Sequence, residues 1–255
     1  MTPDRRMIGT PAGRIAAALW PGQGDRAPLV LFHDSLGSVS LWRDFPGRLA
    51  AATGRGVIAY DRLGFGDSDP ATGRLAPDFV ATEATQGFEA VRAALGIGRF
   101  VALGHSVGGG MAVCAAAAWP EDCVAVISIS AQHRNDDRIR DGIRAAKAGF
   151  AAPGALDRLA RHHGDKARWV LDSWTETWLS PAFAEFTLAP CRAAVRCPVL
   201  ALHGAADEYG TPDHARAIAG PDGVLDVMPG LGHFPHREAE AAVVDRIAGF
   251  LAPLP

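Results

Sequence analysis

Gly104-His105-Ser106-Val107-Gly108 lies where the chain changes character. Just before it, Arg99-Phe100-Val101-Ala102-Leu103 reads as a short buried strand. Just after it, Gly109-Gly110-Met111-Ala112-Val113-Cys114-Ala115-Ala116-Ala117-Ala118 reads as a buried helix that stops at Trp119-Pro120. A Gly-x-Ser-x-Gly between a strand and a helix forms a sharp turn that holds a serine hydroxyl out at the end of a sheet. The flanking glycines suit a turn so tight that a Cβ would strike a neighbouring element. The N–H of Val107 opens the following helix, where developing negative charge is favoured. A glycine-rich turn with no chemistry would carry the same five residues, so the residues that could partner Ser106 decide the reading.

Working outward, short apolar runs alternate with helical stretches. Pro28 to His33, Gly56 to Asp61, Cys123 to Ile129, Pro198 to His203 and Val224 to Met228 read as strands. Leu41 to Ala52, Phe79 to Leu95, Pro212 to Ala219 and Arg237 to Leu251 carry apolar residues at helical spacing. Strands this apolar are covered on both faces, which with the alternation indicates an α/β fold around a mostly parallel sheet. The rhythm breaks between Ala131 and Pro190, a stretch charged at first and then marked by Trp169, Trp174 and Trp178. It reads as a helical insertion, dividing the chain into a core of residues 1–130 and 191–255 and a cap of residues 131–190.

A serine needs a base to take its proton, and the base needs an acid to orient it. The expected base is His233 in Pro229-Gly230-Leu231-Gly232-His233-Phe234-Pro235, a loop directly after the last strand. The expected acid is Asp207 in His203-Gly204-Ala205-Ala206-Asp207, also past a strand end, where loops converge at the carboxyl edge of a parallel sheet. Their rivals are His236, set apart by Pro235, and Glu208 beside Asp207. His105 points away from the serine in such a turn. The strand ending Ser128-Ile129-Ser130-Ala131 is followed by no carboxylate before Asp136.

Together these segments resemble the α/β-hydrolase superfamily, in the branch with a small helical cap. His33-Asp34-Ser35-Leu36-Gly37-Ser38 is similar to its oxyanion loop, with Asp34 where many members have glycine. Asp61-Arg62-Leu63-Gly64-Phe65-Gly66-Asp67-Ser68 is similar to its D-x-R-G-x-G-x-S stretch, with Arg62 one position early. The elbow at Ser106 and the acid and base loops complete the likeness, in the family's order Ser106, Asp207, His233. The resemblance implies an oxyanion hole from the backbone N–H groups of Val107 and Ser35. It also implies a cap that acts as a lid and chooses the substrate. Leu36, His105, Trp178, Phe183 and Phe186 are the candidate pocket residues, with cap packing as the competing role for the aromatics.

The chain has 255 residues, 48% hydrophobic and 21% charged, with a formal net charge of -3. That balance leaves no basic footprint for nucleic acid. No apolar run approaches the length of a membrane span, and Gly9, Pro11 and Gly13 interrupt any signal-peptide core. Cys114, Cys123, Cys191 and Cys197 form no C-x-x-C and read as reduced thiols of a cytoplasmic protein, with a Cys191–Cys197 disulfide as the lesser alternative. His162 and His163 have no other ligand type at a defensible spacing, so a solvated loop is expected there and no metal or cofactor. A homodimer is compatible with the composition.

The resulting expectation is a serine esterase that cleaves a small-molecule carboxylic ester through an acyl-enzyme. Two alternatives share the triad: a carbon–carbon bond hydrolase or lactonase of aromatic-degradation products, and a non-catalytic small-molecule receptor. The first would need a cation near the serine, for which Arg62, Arg161 and Arg192 are candidates.

Overall fold

The computed structural model describes residues 2–255. Its centre is an eight-stranded sheet in the order β1-β2-β4-β3-β5-β6-β7-β8. β3 (Leu29–Phe32), β4 (Val57–Tyr60), β5 (Phe100–His105), β6 (Cys123–Ile129), β7 (Val199–Gly204) and β8 (Val224–Met228) run parallel to one another. β1 (Asp4–Thr10) and β2 (Gly13–Trp20) form a hairpin that joins antiparallel through β2 to β4. The sequence reading missed this hairpin. β1 is an edge strand, mostly exposed, so it lacks the continuous apolar run that marks the inner strands.

Every residue of β3, β5, β6 and β7 is buried. Alternation divides them between the two faces: Val30, Phe32 and Ala102 join the core on one side, and Leu29, Leu31, Val101 and Leu103 the core on the other. The helix Val107–Ala118 packs on the sheet with Val107 through Ala116 buried, which its run of glycine and alanine allows. The helix expected over Phe79 to Leu95 is broken near Gln86, leaving Phe79–Thr82 and Gly87–Leu95 as separate pieces.

Between β6 and β7 the chain passes through the helices Asp137–Gly149, Ala155–His163 and Ala167–Trp178 and the short helix Ala189–Ala194. The two ends of this insertion are tied together where they leave the core. Arg134 bridges to Thr187, and the Leu188 N–H donates to the His133 carbonyl at 2.8 Å. Among the described residues no helix is long and apolar enough to cross a membrane.

Two expectations are corrected. Cys114, on the helix after Ser106, forms a disulfide with Cys191 on the helix that ends the insertion, across 77 positions of sequence. Cys123 and Cys197 remain thiols with sulfurs 3.8 Å apart. Cysteines this far apart meet only through tertiary packing, and their pairing removes the thiol argument for a reducing compartment. His162 and His163 end a helix instead of lying in a loop. His163 is buried, accepts from the Gly66 N–H at 2.9 Å and donates to the Leu36 carbonyl at 3.0 Å, so it fastens the insertion to two core loops.

Candidate active site

Parallel strands bring their carboxyl ends to one edge, so the loops after β3, β5, β6, β7 and β8 meet there. Ser106 leaves β5 at φ 55° and ψ −127°. This is strained backbone for a residue with a side chain, and it is held by the packing around it. A Cβ on Gly104 would overlap the Gly108 carbonyl, and one on Gly108 would overlap the Phe32 carbonyl of β3. Both glycines are therefore required by close approach of backbone to backbone.

His233 and Asp207 lie side by side. The His233 Nδ1–H donates to Asp207 Oδ2 at 2.8 Å. The other carboxylate oxygen accepts from the Tyr209 N–H at 2.8 Å and the Gly210 N–H at 3.3 Å. Burial pushes the Asp207 carboxyl up, but the hydrogen bond and charge of His233, with the backbone donors, outweigh it and leave the pKa below the ordinary value. Asp207 is therefore an anion at neutral pH, oriented by the backbone. Glu208 is exposed, His236 is buried against Trp42, Phe45 and His105, and neither is among the residues lining the cavity at Ser106.

Ser106, His233, Ser35 and Leu36 line one cavity of about 80 Å³ together with Trp174, Trp178, Ile139 and Ile143 of the insertion. The serine hydroxyl donates to Gln132 Oε1 at 3.4 Å in this rotamer. Gln132 itself is fixed through its amide N–H to the Ser130 carbonyl at 3.2 Å. Tyr209 closes another side, its ring 4.7 Å from that of His233. Burial, with the nearby carboxylates, pushes the Tyr209 phenol up to about 12, so it is a neutral wall. Sequence reasoning missed Gln132 and Tyr209. The available signal was position alone: Gln132 follows β6 at the functional edge, and Tyr209 stands two residues after Asp207.

The loop after β3 is held by the Asp34 side chain and by Arg62 and His105 from neighbouring segments. Asp34 Oδ1 accepts from the Leu36 N–H at 2.9 Å, and Arg62 donates to the Asp34 carbonyl at 2.9 Å. Burial raises the Asp34 pKa, but the hydrogen bond from His105 and the charges of His105 and Arg237 pull it well below the carboxylate range. The Leu36 N–H is thus spent, whereas Ser35 faces the cavity. Val107 opens its helix, so its N–H has no intrahelical acceptor.

Several expected pocket residues lie elsewhere. His105 is fully buried under the loops. Its Nε2 meets the His233 carbonyl at 2.8 Å and its Nδ1 faces Asp34 at 3.3 Å, so it braces the His233 loop and is not among the residues lining the cavity. Phe183 and Phe186 stack on each other at 4.5 Å behind Trp178, as packing of the insertion. Trp178 and Leu36 do line the cavity. None of the three candidate arginines reaches it. Arg62 is buried against His33, Asp34 and Met111, Arg192 donates to the Ile218 and Ala219 carbonyls, and Arg161 is exposed on the insertion.

The sheet order, the strained turn at Ser106 and the hydrogen-bonded Asp207–His233 pair agree with a match to the family model described as "Alpha/beta hydrolase family" over residues 29–246. The chain belongs to the alpha/beta hydrolase family. Among solved structures it is similar to an esterase from Rhodococcus sp. ECU1013, with a TM-score of 0.74 at 21% identity, covering 100% of each chain. It is equally similar to a serine hydrolase involved in carbazole degradation, with a TM-score of 0.74 at 18% identity, covering 98% of this chain and 99% of that one. Among curated proteins, a (lyso)-N-acylphosphatidylethanolamine lipase from Mus musculus is 37% identical over 101 residues, which is 40% of this chain and 29% of the lipase. The alignment thus spans less than a third of that relative.

Proposed function

We propose that this hydrolase cleaves carboxylic esters with short acyl chains, using Ser106 as nucleophile, His233 as base and Asp207 as the orienting acid. The observation that carries the reading is the 2.8 Å hydrogen bond between His233 and Asp207 beside the cavity that also exposes Ser106. Rotation about the Ser106 Cα–Cβ bond frees the hydroxyl from Gln132 for the outer nitrogen of His233. Ser106 Oγ then attacks the acyl carbon while His233 takes its proton. The N–H groups of Val107 and Ser35 receive the oxyanion, an arrangement in which loss of one donor costs about 2.7–4 kcal/mol. His233 passes the proton to the leaving alcohol, and a water activated by the same imidazole releases the acid.

A cavity of about 80 Å³ walled by Ile139, Ile143, Trp174 and Trp178 favours a short apolar acyl group. No lysine or arginine is among its lining residues, which weighs against a substrate whose carboxylate must sit beside the serine, as the carbon–carbon hydrolase reading requires. The residues 131–190 act in this reading as the lid that supplies those walls. The test pairs a fluorophosphonate label with turnover of p-nitrophenyl acetate and butyrate. Labelling of the wild type but not of Ser106→Ala, with ester turnover lost in the variant, is the expected outcome. A folded protein that neither labels nor turns over esters, yet binds a small ligand, would favour the receptor alternative.

A further inference from the structure

A cleft of about 430 Å³ opens beside the serine cavity, between the insertion and the core. Asp34, Leu36 and Phe234 line both spaces, so the two are neighbours across a common wall. Phe150 and Leu159 make the far side apolar, while Arg158 and Arg237 bring guanidinium groups to it. Arg237 stacks over the Phe234 ring at 4.5 Å, and its Nε is buried with no hydrogen-bond partner. Its nearest carboxylate, Asp34, stands at 3.8 Å and already accepts from Leu36. Arg158 is exposed and has no ion-pair partner among the described residues. His162, the remaining titratable group of the lining, bonds to Ser40 at 2.9 Å; burial and the charges of Arg237, Arg161 and Arg43 push its pKa down, keeping it neutral at pH 7. The lining therefore carries two cations against one carboxylate.

The direction of the reaction connects this cleft to one half of the substrate. The base must hand its proton to the leaving oxygen, so that oxygen faces His233. Phe234 follows His233 directly, its ring 5.2 Å away, and forms the shared wall. In the esterase reading, a group attached to the leaving oxygen would point towards Phe234 and the cleft on its other side. We propose that the cleft receives the alcohol half of the ester, and that Arg158 and Arg237 select alcohols carrying an anionic group, a carboxylate or a phosphate monoester. This rests on the esterase reading above and adds the substrate class to it.

The test uses butyrate esters that differ only in the leaving phenol: 4-carbamoylphenyl, 4-carboxyphenyl and 4-(phosphonooxy)phenyl. For the wild type at low salt, kcat/KM is expected to be about tenfold higher for an anionic ester than for the carbamoyl one, the low end of a charged hydrogen bond. The larger of the two anionic effects identifies the preferred anion. The preference should reside in KM and shrink as salt is added. Arg158→Gln should bring the ratio towards one, and Arg158→Glu should favour a 3-(trimethylammonio)phenyl ester instead. Equal turnover of neutral and anionic esters by the wild type would overturn the inference while leaving the esterase reading intact. So would a ratio untouched by Arg158→Glu. Failure to turn over any of these esters, with Ser106 unlabelled, would sink the esterase reading and the inference with it.

Discussion

Replacing Asp207 by asparagine probes the acid–base pair most directly, because the structure dictates how the amide must sit. Asp207 Oδ1 accepts two backbone N–H groups, from Tyr209 and Gly210, and Oδ2 accepts the His233 Nδ1–H. An asparagine oxygen must take the first position, since turning the NH2 towards two donors would leave them unsatisfied at roughly 1–3 kcal/mol each. The amide NH2 then faces His233 Nδ1 and forces the proton onto the other ring nitrogen. That tautomer cannot accept from Ser106. The expected loss in kcat is about four orders of magnitude, as for removal of the orienting acid in other triads, which is roughly 5 kcal/mol of barrier. The assay is p-nitrophenyl butyrate hydrolysis, with thermal melting to establish that the variant is folded. Activity within tenfold of wild type would refute the reasoning, as would an equal loss in Glu208→Gln, whose side chain is exposed.

Gly108→Ala should cost about 3 kcal/mol, the upper part of the usual range for overpacking, because the new methyl overlaps the Phe32 carbonyl; an unchanged urea midpoint would contradict the close approach described for the elbow. His236 is buried against Trp42, Phe45 and His105, and both its ring nitrogens lack partners. Burial, then the neighbouring His105 and Arg237, push its pKa well below 6.5. The unfolded chain therefore takes up a proton below pH 6.5 that the folded one refuses, so stability is full above that pH and falls as pH drops towards the folded pKa. His236→Phe should flatten the acid limb of a melting-temperature profile, and an equally steep limb would show that His236 does not contribute. Reduction of Cys114–Cys191, or Cys114→Ser, should lower stability by about 2–4 kcal/mol, given the 77-residue separation it closes; identical melting with and without dithiothreitol would mean that the pair is not oxidised.

The catalytic candidates were legible because each depends on local chemistry repeated at strand ends. A Gly-x-Ser-x-Gly turn, an aspartate after one strand and a histidine after the next are short-range patterns. A parallel sheet brings such positions together at one edge whatever fills the rest of the chain. The pocket walls were not legible in the same way. Trp178, Phe183 and Phe186 are equally aromatic and close in sequence, yet Trp178 faces the cavity while the two phenylalanines stack behind it. Trp178 ends a helix, whereas Phe183 lies in the short turn after it and Phe186 beyond that turn, so the way the chain folds back past Trp178 determines the difference, and composition does not record it.

The sequence by itself determined the α/β alternation and the glycine-flanked turn at Ser106, because backbone propensity, apolar burial and glycine sterics act over a few neighbouring residues. Tertiary structure decided the rest. It added the β1–β2 hairpin, whose outer strand β1 is an exposed edge with no apolar signature. It joined Cys114 to Cys191, turned His105 into a brace for the His233 loop, and set Gln132 and Tyr209 around the Ser106 cavity. Apart from the hairpin, each of these rests on contacts between separate segments of the chain, which only the folded arrangement brings together.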